Sequence, residues 1–330
     1  MNATPDERPS EAPRDGGNIL VLGGGGARGF AHFGVLEVLE GAGIRIDRII
    51  GVSIGAFAGA LYCQDPNALA VRQRVRDYVE SEEFSRYLQR MKGASRESSK
   101  KRNDGASTPA ENSEAEAANL VARNTAGFMR WVKRYLGATL AFHRFILKQA
   151  VLTHEPMLHC LKAIAKNTPI EELQVPLTIV AADLRSGSRV RIERGDLFSA
   201  VLGSIALPGI FPPIDRDGKL LADYGVLCSL PVSTAMRYRP AHVIAVDLTP
   251  DIEYRESFSS GLEIVNRMEE IGCYLFKEHI AGAADVLIRP DVSHVDWADF
   301  NDMDAVVERG IVATESVMPT LLKMRDAVPR

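Results

Sequence analysis

Residues 19–34 read ILVLGGGGARGFAHFG. An aliphatic run stops at four consecutive glycines, and helix-like spacing begins directly behind them. Glycine destabilises the interior of a strand or helix, so this point must be a turn between two packed elements. Bare amides at the start of a helix also favour negative charge. Two occupants compete for them. One is the pyrophosphate of a dinucleotide, the other an oxyanion that exists only while an ester is being cut.

Asn18–Leu22 is a short aliphatic run closed by glycine and reads as a buried strand. Phe30–Leu39 repeats apolar residues at helical spacing and gives way to Gly41. Arg48–Val52 then reads as a second strand, running into GVSIGAFAGAL, whose small residues suit a helix pressed on a sheet. Strand, glycine turn and helix thus occur twice in succession. The alternation predicts an α/β fold with a mostly parallel central sheet flanked by helices. Strand signals return at Val175, Arg189, His242 and Ala284. Candidate helices cover Glu155–Lys166, Asp196–Ile205, Phe258–Ile280 and Asp302–Met324.

A G-x-G-x-x-G is present at Gly24, Gly26 and Gly29, between a strand and a helix as a dinucleotide loop requires. Such a loop also needs an acid at the end of the next strand to hold the ribose. Here Asp47 precedes its strand, which ends instead at Gly51-Val52-Ser53. The dinucleotide reading lacks its second anchor. Gly51-Val52-Ser53-Ile54-Gly55 fits G-x-S-x-G on a strand-to-helix turn, where flanking glycines let a strained serine present its hydroxyl. Neighbouring parallel strands would bring Gly24–Gly26 beside Ser53 at one sheet edge, where open α/β folds bind ligands. The amides of Gly25 and Gly26 could then hold a developing oxyanion.

GGGGARG, GVSIG about 25 residues later and ADYGV around Asp223 together resemble the patatin-like phospholipase family of lipid acyl hydrolases. SAVLGSIALPGIFPPI at 199–214 and VAADLRSG at 180–187 are similar to further blocks of that family. The resemblance runs from about Asn18 to Met324, and it implies a three-layer fold and a Ser–Asp dyad. Carried over by position, it makes Ser53 the nucleophile and Asp223 the base. Gly25 and Gly26 become the oxyanion donors, and Arg28 a contact for substrate phosphate or for the loop itself. The motif glycines are Gly24, Gly29, Gly51, Gly55 and Gly225. The implied partner is a lipid or phospholipid. One position departs from the pattern, since Tyr224 stands where the family usually has glycine. A positive φ there would strain tyrosine. A catalytically weak or inactive lipid-binding protein of the same fold is therefore the alternative.

Residues 1–17 carry four acidic and two basic side chains with no apolar core of a secretory signal, and read as a disordered tail. Residues 18–330 read as a single domain with two inserted features. Lys92–Asn119 holds no Val, Ile, Leu, Met, Phe, Tyr or Trp and reads as a flexible insertion. Residues 121–150 hold six Lys/Arg and no acid, with interleaved aromatics, and suit either a helical lid or a membrane-facing helix. No run approaches the roughly 20 apolar residues of a membrane span, so a cytoplasmic protein with peripheral membrane contact is expected. A net charge of −4 argues against a general nucleic-acid binder. Scattered cysteines and the lack of any metal-ligand spacing lead to no expected metal or cofactor.

Four other residues are candidates for the same edge. A Ser53–Asp223–His242 triad is chemically legal, although His242 opens a strand. His32 follows the glycine loop, close enough to be weighed as a substrate contact. Asp183 and Asp247 end strands and read first as helix caps.

Overall fold

The structure, a computed structural model, describes residues 16–86, 150 and 152–327. The insertion, nearly all of 121–150 and the tail before Gly16 lie outside them. Eight strands form one sheet: β1 (Asn18–Leu22), β2 (Arg48–Val52), β3 (Leu177–Asp183), β4 (Ser188–Ile192), β5 (Ile214–Arg216), β6 (Lys219–Ala222), β7 (His242–Val246) and β8 (Val286–Ile288). Their order is β5-β6-β3-β2-β1-β7-β8, with β4 also on β3. The run β3-β2-β1-β7-β8 is parallel throughout. β4, β5 and β6 add an antiparallel end.

Because strand side chains alternate, β1 feeds two cores. Leu20 and Leu22 enter the larger one, Ile19 and Val21 the smaller. The strand is buried on both faces, which is why it reads as a continuous apolar run. The larger core is closed by α1 (Ala31–Gly41), α2 (Ile54–Gln64), α3 (Ala68–Val79), α4 (Glu155–Ile164), α5 (Leu197–Ser204) and α8 (Met303–Ser316). On the other face lie α6 (Val232–Ala235) and the end of α7 (Gly261–Ala281). The last helix, α9, spans Met318–Ala327.

Three elements differ from the sequence reading. The single helix expected over Asp302–Met324 is two helices meeting at Val317. Pro319 has no N–H to donate, and its ring would clash with the carbonyl four residues back. The β5–β6 hairpin carries little strand pattern because its strands have only three and four residues. Its signal was Asp217-Gly218, both at positive φ (50° and 76°), the pairing a tight hairpin turn demands. α3 was also missed; Asn67 caps it by accepting from the Ala70 amide.

Register fixes the functional edge. Leu22 sits opposite Gly51 across the β1–β2 pair, so both strands release their chains at the same end of the sheet. The glycine loop and Ser53 leave the sheet side by side. Gly55 makes this possible, since a Cβ there would lie 2.1 Å from the Leu22 carbonyl oxygen. Only glycine lets α2 cross β1 that closely.

Candidate active site

Ser53 occupies the turn between β2 and α2 at φ 54°, ψ −126°. A non-glycine residue held there costs about 1–3 kcal/mol, a strain that clusters at functional sites. The turn is held from beneath. The Ser53 amide donates to Ser204 Oγ at 2.9 Å, and that hydroxyl donates onward to the Val180 carbonyl at 2.7 Å. Ser204 is fully buried at the end of α5. It sits in the 199–214 block, yet nothing in the sequence alone distinguishes it from the serines around it.

Asp223 follows β6, and its carboxyl lies beside the Ser53 side chain on the wall of one cavity, close enough for the hydroxyl to act on its pKa. Oδ1 also accepts from the Gly225 amide at 2.7 Å, while the Asp223 amide donates to the Ala206 carbonyl at 3.0 Å. Only 5% of Asp223 is exposed. Burial pushes its pKa up to about 6, against the opposing pull of the Ser53 hydroxyl and the Gly225 amide. The result is a carboxylate whose basicity lies near neutral pH, where a general base is most useful.

The glycine loop closes the third side. Gly23 donates to the Val246 carbonyl, Gly24 to Ser229 and Ala27 to Trp297. The Gly25 and Gly26 amides have no hydrogen-bond partner among the described residues, and both glycines line the same cavity as Ser53. Gly26 has φ +61°, and a Cβ there would lie 2.2 Å from the Trp297 carbonyl oxygen. The shape of this loop therefore excludes any side chain. α2 also points its positive end toward the cavity.

Gly24, Gly25, Gly26, Arg28, Ser53, Asp223 and Gly225 all border one cavity of about 310 Å³. Gly29, Gly51 and Gly55 do not border it and serve packing instead. The rest of the wall is largely apolar, with Met157, Ile205, Leu207, Phe211, Leu248 and Phe300 prominent. Arg28 donates from Nε to the Val295 carbonyl at 2.8 Å, tying the glycine loop to the segment that carries Trp297. Burial lowers its pKa, partly countered by Asp296.

Two histidines weighed as alternatives from the sequence lie outside the site. His242 stands opposite Asn18 at the other end of the sheet, about 13 Å along the strand from the functional edge, and bonds Asn18 Oδ1. It cannot complete a triad. His32 is fully buried and outside the cavity wall; its Nε2 meets the Gly23 carbonyl at 2.8 Å. Burial lowers its pKa to about 4, so the ring is neutral and Nε2 donates. It holds the root of the glycine loop rather than a substrate.

Tyr224 is not among the positive-φ residues. It opens a single 3-10 turn (Tyr224–Val226), and its side chain packs into the smaller core, with Arg189 over its ring. It does not line the cavity, so neither strain nor narrowing follows from it.

Asp183 caps no helix. Its carboxylate binds the β3–β4 turn through the Arg185 amide and Ser186 hydroxyl, and it reaches the Leu220 amide as well. Asp247 pairs with the fully buried Lys277 at 3.0 Å and accepts from the Thr249 amide. Burial pulls the Lys277 pKa down, and Asp247 with Glu278 more than reverses it. This pair anchors α7 beneath Leu248–Pro250, which form part of the cavity wall.

Comparison with known proteins shows the family. The family model described as patatin-like phospholipase matches residues 20–236. An uncharacterized NTE family protein of Mycobacterium tuberculosis is 29% identical over 241 residues, which cover 73% of this chain and 51% of that protein. Patatin-like phospholipase domain-containing protein 6 of Homo sapiens is 27% identical across 88% of this chain and 19% of its own length. Neuropathy target esterase sws of Drosophila melanogaster is 28% identical across 69% of this chain and 13% of its own. The chain spans about half the length of the mycobacterial relatives it matches. Among solved structures, VipD from Legionella pneumophila aligns with 94% of this chain and 67% of its own at 15% identity and TM-score 0.44, too loose a likeness to bear on the site.

Proposed function

The chain belongs to the patatin-like phospholipase family, and from that premise we propose that it hydrolyses carboxyl esters of lipids with a Ser53–Asp223 dyad. One observation carries the reading. A strained serine stands beside a buried carboxyl whose pKa burial raises to about 6, next to two glycine amides with no partner among the described residues, inside a largely apolar cavity.

In this mechanism Ser53 Oγ attacks the ester carbonyl carbon as its proton passes to Asp223. The Gly25 and Gly26 amides receive the charge that develops on the carbonyl oxygen. Collapse of the tetrahedral intermediate breaks the bond to the alcohol, which leaves with the proton from Asp223. Water then attacks the acyl-serine and gives its proton to the same carboxylate. The acid departs, and the proton returns to Ser53 Oγ. Arg28 is half-buried at the cavity wall and suits the phosphate of a phospholipid. Leu227 and Trp297 are 55% and 41% exposed; Trp297 lines the cavity and Leu227 adjoins the lining residue Val226, so the pair supports peripheral contact with a lipid surface. Among the described residues no helix is long and apolar enough to cross a membrane.

The test is release of free fatty acid from a monoacyl glycerophospholipid, beside turnover of a soluble butanoate ester. Hydrolysis of both is expected. Binding of lipid with no turnover of either would favour the non-catalytic alternative.

A pH profile adds a sharper check. The base must be unprotonated, so kcat/KM is expected to rise with pH through a single ionisation near 6 and to fall about tenfold from plateau by pH 5. A limb centred near 4 would mean that burial does not tune Asp223 as described.

Ser204→Ala leaves the Ser53 amide unsatisfied, and a stability loss of about 1–3 kcal/mol in urea unfolding is expected. Because the elbow then relaxes, kcat should drop several-fold while KM changes little. An unchanged kcat would show that Ser204 does not position Ser53.

A further inference from the structure

The cavity beside Ser53 shares walls with two further spaces, one almost wholly apolar and one mixed. At one end Ile54, Met157, Ile205 and Phe300 also form the wall of a second, smaller space of about 50 Å³. That space continues between α3 and α4, lined by Phe57, Val75, Val79, Phe84 and Ile164 among others. The polar side-chain groups in its wall, the Cys160 thiol and the Tyr78 hydroxyl, lie close to each other. Aromatic edges close it: Phe84 lies 5.7 Å from Tyr78 and 5.9 Å from Phe300, centroid to centroid. At the other end Gly225, Ser229 and Thr249 lead into a space of about 320 Å³ bordered by Asn266, Glu269 and Tyr274.

We propose that the apolar slot between α3 and α4 receives the far end of the substrate's acyl chain and sets its preferred length, while the alcohol half lies toward Ser229 and Thr249. The proposal rests on the ester-hydrolase reading above. Its geometric basis is Ile54. This residue follows the attacking serine directly and borders both spaces, so the slot lies next to the point where a chain attached to a carbonyl at Ser53 begins, and on this proposal the chain runs past Ile54 into it. A polar alcohol would lose its hydration in that slot, whereas a methylene gains by leaving water. The opposite end is mixed rather than wholly apolar: the Ser229 and Thr249 hydroxyls, the Asn266 amide and the Glu269 carboxylate stand beside Val226, Pro250 and Ile252, so a polar alcohol keeps partners there that the slot does not offer.

The experiment is a chain-length series of p-nitrophenyl esters from butanoate to dodecanoate, at concentrations below aggregation. Each methylene that enters the slot is expected to raise kcat/KM about fourfold, until the slot is full and the curve levels. Val79→Phe on α3 and Ile164→Phe on α4 each fill the space from a different helix. Each should move the levelling point at least two carbons shorter and leave butanoate turnover within twofold. Ile164→Ala should move it longer. Using two filling variants guards against one that fails to fold. Identical chain-length curves in the wild type and all three variants would overturn the proposal. So would a uniform loss that includes butanoate in both filling variants while they remain soluble and cooperatively folded. If the wild type hydrolyses nothing, the dyad reading fails instead. The slot is then judged by fatty-acid binding to Ser53→Ala, which should tighten with chain length and weaken on adding Val79→Phe; length-independent binding would overturn it.

Discussion

Ser53→Ala is expected to lower kcat for ester hydrolysis by roughly 10⁴- to 10⁶-fold while leaving the protein folded. The magnitude follows from the role. Without Oγ there is no atom to form the acyl-enzyme, and the cavity retains only oriented amides and binding. The fold should survive because what holds the turn is backbone and neighbour. The Ser53 amide bond to Ser204 and the close crossing of α2 over β1 do not involve the lost hydroxyl. Alanine at φ 54° inherits the same backbone strain. Ser53→Gly, by contrast, should lose the same activity and gain about 1–3 kcal/mol, because glycine adopts that conformation freely. Steady-state kinetics beside urea unfolding of the two variants reads both effects. A Ser53→Ala protein with near-normal turnover would remove serine 53 from the chemistry.

Asp223→Asn is expected to move activity and stability in opposite directions. Loss of the general base lowers kcat by roughly 10²- to 10⁴-fold. The stability effect comes from linkage. An aspartate whose pKa is 3.8 unfolded and about 6 folded prefers the proton when folded. Its contribution is therefore fully present below pH 3.8 and is lost as pH rises through 6. Above pH 7 the ionised, buried carboxylate burdens the fold by about 3 kcal/mol. Asparagine carries no such charge and can still accept from the Gly225 amide. The variant should thus be more stable than the wild type by about 2–3 kcal/mol at pH 8, and the gap should close near pH 4. Urea unfolding at the two pH values checks the sign. A variant less stable at pH 8 would mean that Asp223 is stabilised as a carboxylate and is an ordinary structural acid.

The parts of this arrangement that depend on neighbouring residues were legible in the sequence. β1 and β2 fall where their aliphatic runs do, and the parallel pairing that brings Gly24–Gly26 beside Ser53 follows from two successive strand–turn–helix units. Asp223 was found through its motif, because no local pattern says that a residue 170 positions away will meet Ser53. Long-range contacts were not legible for the same reason. Trp297, whose carbonyl fixes Ala27 and fits against Gly26, lies in an irregular segment with no periodicity to read. Ser204 was hidden among equivalent serines, and its role appears only when α5 reaches the underside of the Ser53 turn. Tyr224 was misleading for a physical reason. Strain depends on φ, which its identity does not reveal, and the 3-10 turn after Asp223 turns the ring into the smaller core. His32 shows a related limit, since proximity along the chain to the glycine loop carried no information about the direction of the ring.

The most direct test is covalent. The wild type would be treated with a fluorophosphonate, which reacts preferentially with an activated serine, and the adduct located by peptide mass spectrometry. A single adduct on Ser53, absent in Ser53→Ala and formed at least 100-fold more slowly in Asp223→Asn, is the predicted result. An adduct on another residue, or undiminished labelling of Asp223→Asn, would contradict the dyad.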